Sequence, residues 1–428
     1  MHAPRITTAA ALAGLVAAGG ASAADAAAAT IHVAVNGSDS AAGSAGAPLK
    51  TIQAAIDRAK PGTTIRVHKG TYSGELTIRT SGAPGAPITV TNAGDGPVTV
   101  TSQQPVESCG SRKPSAHRTI SIPAGADYWT FSGLNLVHGA FIAGKGSGRT
   151  YSWHAGLAKR GVWEPRRKVP GMAKNDPAGA RQAIPYLEKT LGADLDPADH
   201  IEFIDNTMTG RGVYATLAGY GVFRGNTVKD VLCGTGPGLW VMNFSHFWEV
   251  SGNDISDIAP STAAHFMQEG IRFGTAASYN TITNNRVHDL RGDGRAFNTD
   301  VDASWNLFAN NTATNVAFGY NDQMSGWGNV WKNNSVSGYR TYGFGFRMKD
   351  SVLTRPSKNS STNMAVVTGN RTARPIGGDA RALGVGAAMN SRFADNVFPS
   401  IFISDNALRY WGAEGNTWNG SPRPPASN

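Results

Sequence analysis

Ile282-Thr283-Asn284-Asn285, Leu307-Phe308-Ala309-Asn310-Asn311 and Val330-Trp331-Lys332-Asn333-Asn334 repeat one sentence of sequence: a short alternating apolar run closed by asparagine. Working outward, the same run closes at Asn206, Asn226 and Asn253 before it, and at Asn370 and Asn396 after it. The steps between these asparagines are 20, 27, 32, 26, 23, 36 and 26 residues. A repeat of that length with period-two alternation is one coil of a parallel β-helix, loops absorbing the excess. Asparagine suits the turn because it tolerates left-handed backbone and hydrogen-bonds along a stack, so these asparagines read as structural.

The rest of the chain agrees with an all-β solenoid. Only 16 % of residues are charged, and 52 are glycine, a composition for many turns and short strands. Thr51 to Lys60 reads as a helix, with Ile52, Ala55, Ile56 and Ala59 on one face and Pro61-Gly62 ending it. One helix ahead of many strands is a cap, covering the open end of the first coil. From Gly139 to about His200 the repeat stops, and a long insertion with a short helix over Ala178–Leu191 is expected.

Arg5, the apolar stretch Ala9 to Ala18 and Ala21-Ser22-Ala23 read as a signal peptide over residues 1–23, with a single domain over 24–428. The apolar stretch is too short to span a bilayer. A secreted, monomeric protein follows as the expectation, which argues against an intracellular nucleic-acid partner. Export permits a disulfide between Cys109 and Cys233; two separate buried thiols are equally open. The net charge is +9, which favours an anionic partner. Much of it sits in residues 141–181, where nine Lys and Arg face only Glu164 and Asp176, with Trp153, His154 and Trp163 interleaved. Such an arm over a cleft would hold an anionic polymer.

Asn36-Gly37-Ser38-Asp39, Pro48-Leu49-Lys50-Thr51-Ile52-Gln53-Ala54-Ala55-Ile56, Pro61-Gly62-Thr63 and Gly70-Thr71-Tyr72 resemble the opening of the pectate-lyase-like right-handed β-helix superfamily. The asparagine-closed coils extend the resemblance over most of residues 31–418. It implies the fold. For activity it implies a carbohydrate-active enzyme or an adhesin, because the superfamily includes lyases, hydrolases, epimerases and non-enzymatic adhesins.

Aligning coils on their asparagines exposes a second strand in each. Ile271, Phe273, Phe297, Val301, Tyr320, Met324, Phe346 and Met348 share one parity and are expected in the core. The opposite parity makes an outward column of Trp240, Arg272, Asn298, Asn321 and Arg347, with Asp300, Gln323 and Lys349 beside it and Asp302 further along. Asp322 breaks the rule and is expected to point inward. Trp240, Trp305, Trp327, Tyr339 and Tyr342 lie close enough to stack on sugar rings.

Two reactions fit an acidic polysaccharide. In β-elimination, Lys349 is the candidate base, its pKa lowered by Arg347 and Arg272, which also bind the uronate carboxylate. Substrate contacts fall to Arg272, Asn298, Asn321, Gln323 and Trp240. Asp300 and Asp302, with Asn298, offer oxygen ligands to Ca²⁺; the superfamily's lyases use a cationic base, often with calcium. In hydrolysis, Asp300, Asp302 or Asp322 would supply the two carboxyl groups. Asn298-Thr299-Asp300, Asp322 and Arg347-Met348-Lys349 resemble polygalacturonase-type glycoside hydrolases. The chain departs from them in having Asn321-Asp322 where they have two aspartates, and no Gly-His-Gly before Arg347. The positive groove and arm favour the lyase. A non-catalytic polysaccharide-binding protein would need only the aromatics and arginines.

Overall fold

Backbone amides and carbonyls in a short strand need partners on both sides, and here they come from the coils before and after. The computed structural model describes residues 29–102, 115–159, 169, 175–232, 236–259, 268–324, 326–348 and 361–427. The expected signal peptide, Cys109, Cys233 and Lys349 lie outside them. The described chain is a parallel β-helix with the right-handed sense that successive parallel crossovers take. One 13-stranded sheet joins a strand from each coil, a 19-stranded sheet carries most of the other strands, and Thr362–Asn363 pairs separately with Ala388–Met389. No helix among the described residues is long and apolar enough to cross a membrane.

The register stacks like on like. In the 13-stranded sheet Val90, Phe131, Phe203, Phe223, Val250, Ile282, Phe308, Trp331, Val367 and Phe393 succeed one another, one per coil. All are buried. Phe308 and Trp331 stack with centroids 4.2 Å apart.

The repeated asparagines close the coils from Asn206 to Asn396 as expected. Asn253 shows the pattern: its backbone N–H donates to Oδ1 of Asn285 at 3.0 Å, and its amide donates to the Phe223 carbonyl at 2.8 Å. The same bonds run from Asn206 through Asn226, Asn285, Asn311, Asn334 and Asn370 to Asn396. A second ladder, Asn280 to Asn306 to Asn329, escaped the sequence reading.

The cap is helix α1, Ile52–Arg58. Thr51 caps it, accepting from the Ala54 N–H, and Asp39 in turn accepts from the Lys50 and Thr51 N–H groups. Ile52, Ala55 and Ile56 are buried over the first coil. The insertion is more helical than expected. It holds α2 (Ser147–Lys159), α3 (Pro177–Ala180) and α4 (Ala183–Leu191). The single helix expected over Ala178–Leu191 is thus two, broken around Arg181 and Gln182. The strand Ala140–Ala143 still belongs to the solenoid, so the departure begins later than Gly139.

Candidate active site

The outward column is set by sheet register. Phe141, Tyr214, Trp240, Arg272, Asn298 and Asn321 occupy successive rungs. Its first half is aromatic. Phe141 and Tyr214 stack at 5.5 Å, and Tyr214 meets the edge of Trp240 at 4.8 Å. Its second half is a directed chain of hydrogen bonds. The Asn321 amide donates to Asn298 Oδ1 at 2.7 Å, and the Asn298 amide donates to Glu269 Oε1 at 2.7 Å. Arg272 donates to Glu269 Oε2 at 2.9 Å and, through its other terminal nitrogen, to Asp300 Oδ2. Glu269 only accepts when ionised, so it fixes which way both amides point.

Arg272 also lies 5.0 Å from the Trp240 ring centroid, a cation–π contact. Burial works against its charge, but Glu269 and Asp300 outweigh burial and hold the guanidinium well above its ordinary pKa. It is a fixed cation at the middle of the face.

Glu269 is the anchor; the sequence puts it near the strip on a loop and assigns it no role, whereas it lies in the strand Glu269–Gly274. Strict alternation gives it the parity of Ile271, a core residue. A kink intervenes at the next residue. In the paired strand, neighbours Ala296 and Phe297 are both in the core, which regular alternation forbids. Gly270 occupies the kink one coil earlier. A Cβ there would stand 2.4 Å from Val287 and 2.7 Å from the Ala296 carbonyl. The kink turns Glu269 and Arg295 toward the outer column; Arg295 comes within 3.5 Å of Glu269. A glycine inside a strand pattern was the available signal.

Arg347 is not in this column. Asn321 pairs with Gly345, and Asp322 with Phe346, so the expected alignment was two residues out. The strand Ser335–Phe346 runs on without a loop, and its length shifts the rung. Arg347 follows in left-handed backbone at φ 53° and donates to the Gln323 carbonyl. It remains beside Gln323 and near Asp322. Gly345 leaves the rung without a side chain, and Met348 fills that side; a Cβ on Gly345 would lie 3.7 Å from it. Val301, Met324 and Met348 are half-buried rather than core, because the strands end at Thr299, Asp322 and Phe346 and alternation stops with them. Of the other aromatics, Tyr339 is in the core, while Tyr342 faces the groove.

Two cavities lie along the face. One of about 500 Å³ is bounded by the aromatic half of the column, Arg272, Asp300, Val301 and α2. The other, about 300 Å³, is bounded by Arg295, Phe318, Asn321, Gln323, Tyr342 and Met348.

The three aspartates do not converge. Asp300 bonds to Arg272 and accepts from the Val301 N–H at 2.9 Å. Asp302 is fully buried, with Oδ2 3.6 Å from His154 Nε2. Asp322 points inward as expected and is fully buried. Burial pushes its carboxyl up to about 6, while the nearby Thr362 hydroxyl and Arg347 guanidinium pull the other way. A carboxyl there does not touch a ligand in the groove, which corrects its reading as a catalytic group. The pair of outward carboxylates that hydrolysis asked of these residues is not formed. Nor do Asp300 and Asp302 fit calcium, which takes six to eight oxygens. Both oxygens of Asp300 are engaged, and no group of three or more His, Cys, Asp and Glu among the described residues could hold a metal.

Comparison with known proteins bears on this groove. Pectate lyase PEL9 of Emericella nidulans is 26 % identical over 344 residues, 76 % of this chain and 77 % of that protein. The chain is similar to a pectate lyase. This relative bears out the resemblance to pectate-lyase-like proteins and the reading of the chain as a polysaccharide lyase. Residues 35–79, the capped first coil, match a family described as a protein of unknown function, DUF1565. Over 62 residues the chain is 39 % identical to the uncharacterized protein YwoF of Bacillus subtilis, 14 % of this chain and 13 % of that one. Among solved structures, a rhamnogalacturonan lyase superposes with a TM-score of 0.46 at 12 % identity, covering 85 % of this chain and 87 % of its own. The pectate lyase Pel9A gives 0.38 at 14 %, covering 93 % and 81 %.

Proposed function

We propose that this is a secreted, monomeric enzyme that cleaves a uronate-containing polysaccharide by β-elimination, with Lys349 as the base. The observation that carries the reading is Arg272, a buried guanidinium kept charged by Glu269 and Asp300, on the face of a chain similar to a pectate lyase. Removing the proton beside a uronate carboxylate builds negative charge on that carboxylate. A cation fixed before the reaction stabilises it without reorganisation. The base takes the C5 proton, the electron pair forms the C4–C5 double bond, and the glycosidic oxygen on C4 departs and takes a proton from water, the base then returning its proton to solvent.

The residues divide this work. Asn298 and Asn321 have their amides aligned by Glu269, which leaves Asn321 Oδ1 on the groove side to accept from a sugar hydroxyl. Gln323 and Arg347 form the neighbouring edge. Lys349 is the next residue in sequence after Met348, which lines the smaller cavity with Asn321 and Gln323. No step runs through calcium.

The test is the product. On a uronate polymer a lyase gives an unsaturated uronate that absorbs in the ultraviolet, a hydrolase gives reducing ends without that band, and a binding protein gives neither. Lys349→Ala is expected to remove the ultraviolet product while leaving the thermal transition in place. Full turnover in that variant would overturn the assignment of the base.

A further inference from the structure

The larger cavity has a chemistry different from the rest of the groove. Its floor is the aromatic half of the column, Phe141, Tyr214 and Trp240. Its opposite wall is Tyr151 on α2, half exposed at 51 %. That wall is built in. The Asn243 amide donates to the Ser147 carbonyl and to the Thr150 hydroxyl, both at 2.8 Å, and His154 on the same helix meets Asp302. The volume, about 500 Å³, is that of a small-molecule site.

Among the described residues, the charged groups lining this cavity are Arg272 and Asp300, and they are bonded to each other. Arg272 also bonds to Glu269, and its remaining attraction is taken by the carboxylate of the uronate that is cleaved. A second carboxylate entering here would lose water, face Asp300, and find among these lining residues a cation already shared by two acids. An uncharged pyranose loses nothing comparable. Its C–H face stacks on flat rings, and its rim hydroxyls meet the hydroxyls of Ser147 and Thr216.

We propose that this cavity is a subsite for a neutral sugar, directly beside the uronate that is cleaved. The substrate is then a heteropolymer in which an uncharged residue flanks the uronate, rather than a homopolymer of uronates. This rests on the lyase reading and narrows it.

The experiment compares rates of ultraviolet product formation on two alternating polymers, the galacturonate–rhamnose backbone of rhamnogalacturonan and hyaluronan, with two homopolyuronates, polygalacturonate and alginate. At least one alternating polymer is expected to exceed both homopolymers about tenfold in kcat/KM. Tyr151→Ala is expected to erase that margin, lowering kcat/KM about tenfold on the alternating polymer and leaving the homopolymers nearly unchanged. Tyr151 is exposed enough that its truncation spares the fold. Equal or better cleavage of a homopolymer, with Tyr151→Ala without effect, would overturn the subsite and leave the lyase intact. Calorimetric titration with a rhamnogalacturonan tetrasaccharide and with tetragalacturonate separates the two ideas. Selective binding of the former, lost in Tyr151→Ala, without unsaturated product from any polymer, supports the subsite and sinks the lyase.

Discussion

Arg272 donates to two acids and lies against an indole. The bridge to both acids asks for the planar fork of a guanidinium, which a lysine lacks. Arg272→Lys is therefore expected to keep the charge, lose the bridge between Glu269 and Asp300, and lower kcat/KM about a hundredfold. Arg272→Ala strands two buried carboxylates, and a denaturant titration should show a loss of about 3–5 kcal/mol. Asp322 gives a prediction of opposite sign. Its folded pKa, about 6, lies above the ordinary carboxylate value of 3.8, so the folded chain holds a proton that the unfolded chain has released. Stability is then highest at low pH with respect to this group, and falls as pH rises from about 4 through 6. Above that window the cost is about 3 kcal/mol by linkage. Asp322→Asn should flatten this limb, and unfolding followed at pH 4.5 and pH 7.5 checks it. The residue list for the groove was partly legible in advance. Trp240, Arg272, Asn298 and Asn321 fall on one column because strand alternation is local information. Glu269 was hidden because one kink at Gly270 reverses parity, and Arg347 was misplaced because nothing in a single coil reports how the next one is offset.

At the scale of the element, the asparagine turns carry the repeat. Each buried side chain supplies one acceptor to a backbone N–H of the coil before and donors to a carbonyl. Replacing one leaves buried backbone groups unmatched, at about 1–3 kcal/mol each. Asn285→Ala is expected to lower the thermal midpoint without changing activity per folded molecule. The rule for these asparagines was readable because the same residue recurs at the same place in successive coils from Asn206 to Asn396. The insertion was not readable in that way. Its helices have no repeat to follow, and what fixes α2, the Asn243 amide on Ser147 and Thr150, joins residues more than ninety apart in sequence.

For the whole molecule, the sheets, the cap and the place of the insertion followed from the sequence, since a solenoid uses one local instruction many times. The groove's chemistry did not follow, because it depends on contacts between coils. A net charge of +9 acts at this scale too. Attraction for a polyanion decays over the screening length, about 10 Å at 0.1 M salt, so KM for a uronate polymer is expected to rise several-fold between 50 and 500 mM NaCl while kcat holds. A KM indifferent to salt would mean that the polymer is gripped through neutral contacts alone.

The asparagine closure also has an arithmetic. Because the coils from Asn206 to Asn396 end on the same side chain and share the same hydrogen bonds, those coils are interchangeable units. The groove can therefore lengthen or shorten only in whole steps of about 4.8 Å. A sugar chain advances by a different increment. The two periods drift past one another along the cleft, so only certain rungs meet a ring squarely, and adding or deleting one coil would change which sugar along the polymer lies opposite Arg272.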